Sequence, residues 1–176
     1  MKMDLVIKKA SEQDVFTIHE IVQEAFKEYA RELGLPDKVS ALEETPHIIL
    51  EEMRKKTIFI AFLDGQPVGT IRLEVLPPGK VGYISRFGVR PQVQNCGVGK
   101  TLIKAVEEEA RKLGLRVLTL HTASKMTSLI RFYYGMGFYI HSTSTDRGYI
   151  RALLCKELEQ CDALDLNAEL NAAYAK

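Results

Sequence analysis

The sequence predicts a mixed α/β fold of the α+β kind, a largely antiparallel central sheet flanked by helices. Three observations predict it. Two long segments, one from Val15 to Leu33 and one after Gly97 and Gly99 running to about Leu113, carry apolar residues at helical spacing. Short runs rich in β-branched and aromatic residues lie between and around them, bounded by Gly, Pro and Asp. Read in order, the elements give βααβββαβαββ, and strands in runs broken by single helices pack as a mixed sheet with helices on its faces.

The first strand is read at residues 4–10. Ser11, three residues before Asp14, resembles a helix N-cap, and Val15, Ile18, Val22, Ala25, Phe26, Tyr29 and Leu33 follow on one helical face. Gly34 and Pro36 end that helix. A second helix is read at 45–56, with Thr45 as cap and Pro46 in the first turn. Residues 57–63 and 67–76 read as strands joined at Asp64-Gly65, a hairpin turn signal, and Pro77-Pro78-Gly79 makes the next turn. The strand at 82–89 leads through a short loop into a helix ending near Leu113, its buried stripe marked by Leu102, Val106, Ala110 and Leu113. Arg111 and Lys112 offset the negative end of the helix dipole, and Gly114 stops the helix. Residues 115–122 have the dense apolar character of a central strand. An apolar helix through Phe132 and Tyr133 comes next, and the strands 139–144 and 149–157 close the chain as an antiparallel pair. Residues 1–158 therefore read as one domain. Residues 159–176 read as a C-terminal helix through Leu158, Cys161, Leu164 and Leu170, or as a tail.

Composition narrows the class. With 176 residues, 46% of them hydrophobic, the chain can bury one substantial core. A net charge of +1 without a basic block argues against nucleic-acid binding. Apolar runs are too short for a membrane span, and the N-terminal one is too short for a signal peptide. Cysteines 96, 155 and 161 are odd in number and lack metal-like pairing, so a reduced cytoplasmic protein without disulfide or metal site is expected.

Residues 89–102 read Val-Arg-Pro-Gln-Val-Gln-Asn-Cys-Gly-Val-Gly-Lys-Thr-Leu. Strand, glycine loop and helix N-terminus in that order leave backbone N–H groups facing one anion. Gly97 and Gly99 lack the Cβ atoms that would hold a phosphate away from those amides. A P-loop ends in Gly-Lys-Thr as here, but its first glycine falls on Gln94, and the later apolar strand runs into His121 instead of a magnesium-holding Asp. A dinucleotide fingerprint fails at Leu102. The third pattern, Gln-x-x-Gly-x-Gly, is matched by Gln94, Gly97 and Gly99 after a strand and Val-x-Pro. One strand after the loop helix comes Ile130-Arg131-Phe132-Tyr133-Tyr134-Gly135-Met136-Gly137-Phe138. There Gly137 can close the helix in a left-handed conformation, and Phe138 opens the next strand.

The two motifs, in this order and with these elements between them, resemble the GCN5-related N-acetyltransferase (GNAT) superfamily over about residues 4–157. The resemblance implies an acyltransferase that moves an acetyl group from acetyl-CoA to a primary amine by direct attack in a ternary complex, with no metal. It implies that the amides of Asn95, Cys96, Gly97, Val98, Gly99 and Lys100 wrap the CoA pyrophosphate, with Gln94 bracing the loop. Backbone groups of Phe87 and Val89 would pair with the pantetheine arm between splayed strands 82–89 and 115–122. Tyr133 matches the family tyrosine that protonates the departing thiolate. Departures are visible too. Ser85 stands where many members carry a glutamate base, and Met126 stands where an asparagine is common. Glu74 is the best replacement base, and His121 is a second candidate that also reads as a structural histidine. Cys96 reads as a passive loop residue, and His19, His47 and His141 read as structural. Asp37, Glu43 and Glu44, between the first two helices, could attract a cationic amine and are read as solvated loop acids. The acceptor, a small molecule or a protein amine, is left open, and so is the oligomeric state, a homodimer included. The alternative reading is a non-catalytic acyl-CoA binding or sensing module of the same fold.

Overall fold

In the computed structural model, residues 2–160 and 162–175 are described. The strands are β1 (Leu5–Lys9), β2 (Thr57–Leu63), β3 (Gln66–Leu76), β4 (Val81–Val89), β5 (Val117–Ala123), β6 (Tyr139–Ser144) and β7 (Arg151–Glu157). The helices are α1 (Val15–Leu33), α2 (Pro46–Met53), α3 (Val98–Lys112), α4 (Thr127–Gly135) and α5 (Ala163–Tyr174). The order is the expected βααβββαβαββ with one helix added at the end. The seven strands form one sheet in the order β1-β2-β3-β4-β5-β7-β6. Pairing is antiparallel for β1–β2, β5–β7 and β6–β7, and parallel for β4–β5.

The chain divides into two compact units, one made of Met1–Arg72 and Arg86–Val106, the other of Leu73–Ser85 and Glu107–Lys176. In the first, the Asp14 carboxylate accepts the Ser11 N–H at 2.8 Å, which steers a single 3₁₀ turn into α1. α1 buries Ile18, Ile21 and Val22 together with Ile49 of α2 and Ile58 and Ile60 of β2. Gly34 ends α1 at φ +72, as its position predicts. Thr45 caps α2, its hydroxyl accepting the Ile48 N–H at 3.3 Å, and Pro46 takes the first helical position. α1 comes very close to β4: a Cβ on Gly88 would stand 2.8 Å from the Ala25 Cβ, so only glycine fits there.

In the second unit, β5 is buried along almost its whole length, as its composition predicts. Gly137 has φ +91 after α4, and Phe138 is buried behind it. The last segment is a helix and not a tail. Asp162 caps α5 by accepting the Asp165 N–H at 2.8 Å, and Leu166 and Leu170 pack against Val81, Val117 and Cys155. Of the residues expected on its apolar stripe, Cys161 and the Leu164 side chain lie outside what is described. On α3, Leu102, Val106 and Ala110 are fully buried, but Leu113, read as part of the stripe, is 47% exposed. α3 ends at Lys112, so Leu113 already belongs to the turn closed by Gly114 at φ +71.

Candidate active site

The glycine loop has the backbone its sequence calls for. Arg90 and Pro91 break β4 into a 3₁₀ turn, and Asn95 (φ +67) and Gly97 (φ +81) both take the left-handed conformation. Asparagine tolerates that region and glycine favours it. Successive turns of this kind direct N–H groups to one side, ahead of the first turn of α3. The loop is tied to α3 where Thr101 donates both its N–H (3.1 Å) and its hydroxyl (2.9 Å) to the Gly97 carbonyl. Nothing lies within 4 Å of a Cβ built on Gly97, so that face of the loop is open. Gln94 and Lys100 are exposed, Cys96 is half-buried, and Val98 is buried as the anchor of the first helical turn.

Strand β4 changes character halfway. Its pairs with β5 run from Val81–Val117 to Ile84–Leu120, while the strand continues to Val89. Arg86, just past the last pair, has φ +48, a strained value for a non-glycine residue. Its side chain is fixed by Glu44, which accepts its Nε–H at 3.2 Å. The same carboxylate receives two bonds from Arg72, from Nη1 at 2.7 Å and Nη2 at 2.5 Å. Glu44 is 5% exposed and Arg72 1%. The solvated-loop reading of Glu44 is therefore wrong, whereas Asp37 and Glu43 are exposed as expected. Burial pushes the Glu44 carboxyl up, but the hydrogen bonds and charge of Arg72, helped by Arg86, outweigh it and hold the group below its ordinary value. A charged residue amid the apolar run of β3 was the visible signal for this cluster; its distant partner left no trace in local spacing.

The second unit contains a cleft of about 530 Å³. Glu74 of β3, Tyr83 of β4, His121 of β5, Arg151 of β7 and Tyr174 of α5 line it, with Asp146 and Arg147 from the β6–β7 connection. The pairing explains the cluster. Tyr83 faces Thr119 across the parallel pair, so His121, two residues on, shares its face. The Tyr83 hydroxyl and His121 Nδ1 are 2.8 Å apart, and Tyr174 closes over both rings with its hydroxyl 2.7 Å from Thr119 Oγ1. Burial, reinforced by the positive charge of Arg151, pushes the His121 pKa down to about 4, so the imidazole is neutral at neutral pH. Glu74 and His121, the two candidate bases, thus line one cleft. Tyr83, Arg151 and Tyr174 were not singled out from sequence. The polar residues on an otherwise buried strand face, read in register, could have found Tyr83. Only the fold brings in the other two.

Tyr133 is 6% exposed, its ring packed edge-on against Phe132 (centroids 5.4 Å apart) and Phe138 (5.9 Å). Phe87, Val89 and Glu74 are half-buried on their strands, and the Ser85 hydroxyl is buried without a hydrogen-bond partner. His19 contacts the Glu44 carbonyl at 3.0 Å, His47 sits beside Glu51, and His141 contacts Ser142 and Asn167. Among the described residues no three His, Cys, Asp or Glu side chains cluster as metal ligands, and no helix is long and apolar enough to cross a membrane.

The model of the acetyltransferase (GNAT) family matches residues 18–138. The chain belongs to that family. It is similar to the spermidine N(1)-acetyltransferase of Thermoplasma acidophilum, with 25% identity over 151 residues, 80% of this chain and 92% of the relative. Its fold is similar to that of the PaiA N-acetyltransferase from Thermoplasma acidophilum in complex with coenzyme A (TM-score 0.78, 21% identity, covering 88% of this chain and 99% of that one). It is also similar to the ribosomal-protein-S18-alanine N-acetyltransferase of Escherichia coli (TM-score 0.71, 16% identity, covering 91% and 97%). The protein is an acyltransferase, and acetyl transfer, not a non-catalytic binding role, is the chemistry its family and relatives support.

Proposed function

We propose that the protein transfers the acetyl group of acetyl-CoA to a primary amine by direct attack in a ternary complex. The observation that supports this is the loop at 94–100, where Asn95 and Gly97 are left-handed just ahead of α3 in a chain of this family; backbone of this kind can present amides to an anion such as a pyrophosphate. Asn95, Cys96, Gly97, Val98, Gly99 and Lys100 hold the pyrophosphate in this reading, with Gln94 at the loop entrance. Backbone groups of Phe87 and Val89 pair with the pantetheine amides in the manner of an added strand. The amine nitrogen adds to the thioester carbonyl, a C–N bond forms and the C–S bond breaks. Glu74, on the cleft wall beside His121, takes the proton the amine must lose, directly or through water. Tyr133 gives its phenolic proton to the departing thiolate and recovers one afterwards. A cleft of about 530 Å³ suits a small-molecule amine.

The test is amine-dependent thiol release in wild type, Tyr133→Phe and Glu74→Gln. Loss of an acid–base group is expected to lower kcat by about a hundredfold or more. Tyr133→Phe should do so while acetyl-CoA still raises the melting temperature, and Glu74→Gln should flatten the acidic limb of the pH–rate profile. Rates for Tyr133→Phe within about threefold of wild type across pH would remove the tyrosine from the mechanism.

A further inference from the structure

The cleft in the second unit holds a guanidinium whose partners are incomplete. The Arg151 side chain is only 11% exposed, and its Nε is buried without a hydrogen-bond partner. Its ion pair with Asp146 is a long contact, 3.5 Å from Nη2 to Oδ1, and that aspartate is 63% exposed. Asp146 is itself held by the Ser144 hydroxyl at 3.0 Å, not by a full fork with Arg151. A buried N–H of a permanently charged group carries a large desolvation cost unless an acceptor fills it. A carboxylate matches the fork geometry of a guanidinium and can bond two of its N–H groups at once.

Charge balance in the cleft points the same way. Glu74 and Asp146 contribute two negative charges, Arg147 and Arg151 two positive ones, and His121 is neutral at neutral pH. A polycation would gain from the two acids but must be buried beside Arg151. A zwitterion finds both signs within one cavity of about 530 Å³.

We infer that the acceptor carries a carboxylate as well as its amine, an amino acid or a similarly small amino-carboxylate, and that Arg151 binds that carboxylate. This rests on the acetyl-transfer reading above and specifies its substrate class. The amine end is then left to Glu74, an acid on the wall of the same cleft. Arg151 is a specificity-determining residue in this account, not a participant in proton transfer.

The experiment measures kcat/KM for acetyl transfer to α-amino acids, to the matching amino-acid amides, and to spermidine, with wild type and Arg151→Gln. The acids are expected to exceed their amides by at least tenfold in wild type. Arg151→Gln should erase that preference by lowering the acids alone, with the amides within about threefold and the acetyl-CoA-induced melting shift unchanged. Equal or better rates for the amides or for spermidine overturn the carboxylate assignment while leaving acetyl transfer intact. A preference for acids that survives Arg151→Gln overturns the role of Arg151. If no amine in the panel releases thiol, the acetyl-transfer reading itself fails, and this inference with it. Should Arg151→Gln fold poorly, the comparison of acid with amide in wild type still decides the substrate class.

Discussion

Glu44 shows how much one side chain can carry. It is the sole acid bonded to both Arg72 and Arg86 among the described contacts, and it sits where water cannot replace it. Removing one partner from a buried ion pair leaves an uncompensated charge and typically costs about 3–5 kcal/mol. Glu44→Gln should therefore lower the unfolding free energy by about that amount, read as a fall in the urea midpoint at unchanged slope. His121 makes a prediction of the opposite kind. Its pKa is near 4 in the folded protein, against an ordinary value of 6.5. Between those values the unfolded chain binds the proton and the folded one does not, so stability rises with pH across this window. The contribution is complete above pH 6.5 and is lost as pH falls toward 4. In His121→Gln the urea midpoint should vary less with pH over that interval; an unchanged slope would mean the imidazole is not buried neutral. Glu44 is held below its ordinary 4.5, so its contribution is present above that value and is lost as pH falls through its lowered pKa. Neither was readable from sequence. A buried pair 28 residues apart has no local pattern, and His121 gains its environment from β4 and α5.

At the scale of elements, the sequence was clearest where periodicity and punctuation agreed. α1, α3 and the β2–β3 hairpin have strong apolar patterns bounded by Gly or Pro, and each was found within a few residues of its observed ends. α5 was ambiguous because it has good helix formers but few apolar anchors, so its stability must come from docking. Leu166 and Leu170, four residues apart, supply that docking on Val81, Val117 and Cys155. Leu170→Ala and Leu166→Ala should each cost about 2–5 kcal/mol in chemical denaturation. Costs near zero would mean that α5 is a loosely attached tail. Gly88 is the counterpart in the other unit. A methyl group there meets the Ala25 Cβ at 2.8 Å, and overpacking of this kind costs about 1–3 kcal/mol. Gly88→Ala should lower the melting temperature accordingly, and a neutral result would show that α1 can shift away from β4.

For the molecule as a whole, fold and family were legible because they rest on the order of elements and on two short motifs, which a linear sequence preserves. The glycine loop was legible for the same reason: Asn95, Gly97 and α3 are contiguous, and the observed backbone follows their local preferences. The cleft was not. Its walls come from β3, β4, β5, β7 and α5, so Arg151 meets Glu74 and His121 only through the sheet order, and Tyr174 joins them only through the docking of α5. One ligand belongs to the contiguous part and one to the assembled part, and the first is the more direct to test. The decisive measurement is thermal unfolding of the protein with and without acetyl-CoA, with ATP–magnesium as control. Binding to the folded state stabilises it by about 2.7 kcal/mol at a hundredfold excess over the dissociation constant. A rise in melting temperature with acetyl-CoA and none with ATP–magnesium is the predicted result. No rise with millimolar acetyl-CoA would contradict the cradle at residues 94–100 and the acetyl-transfer account built on it.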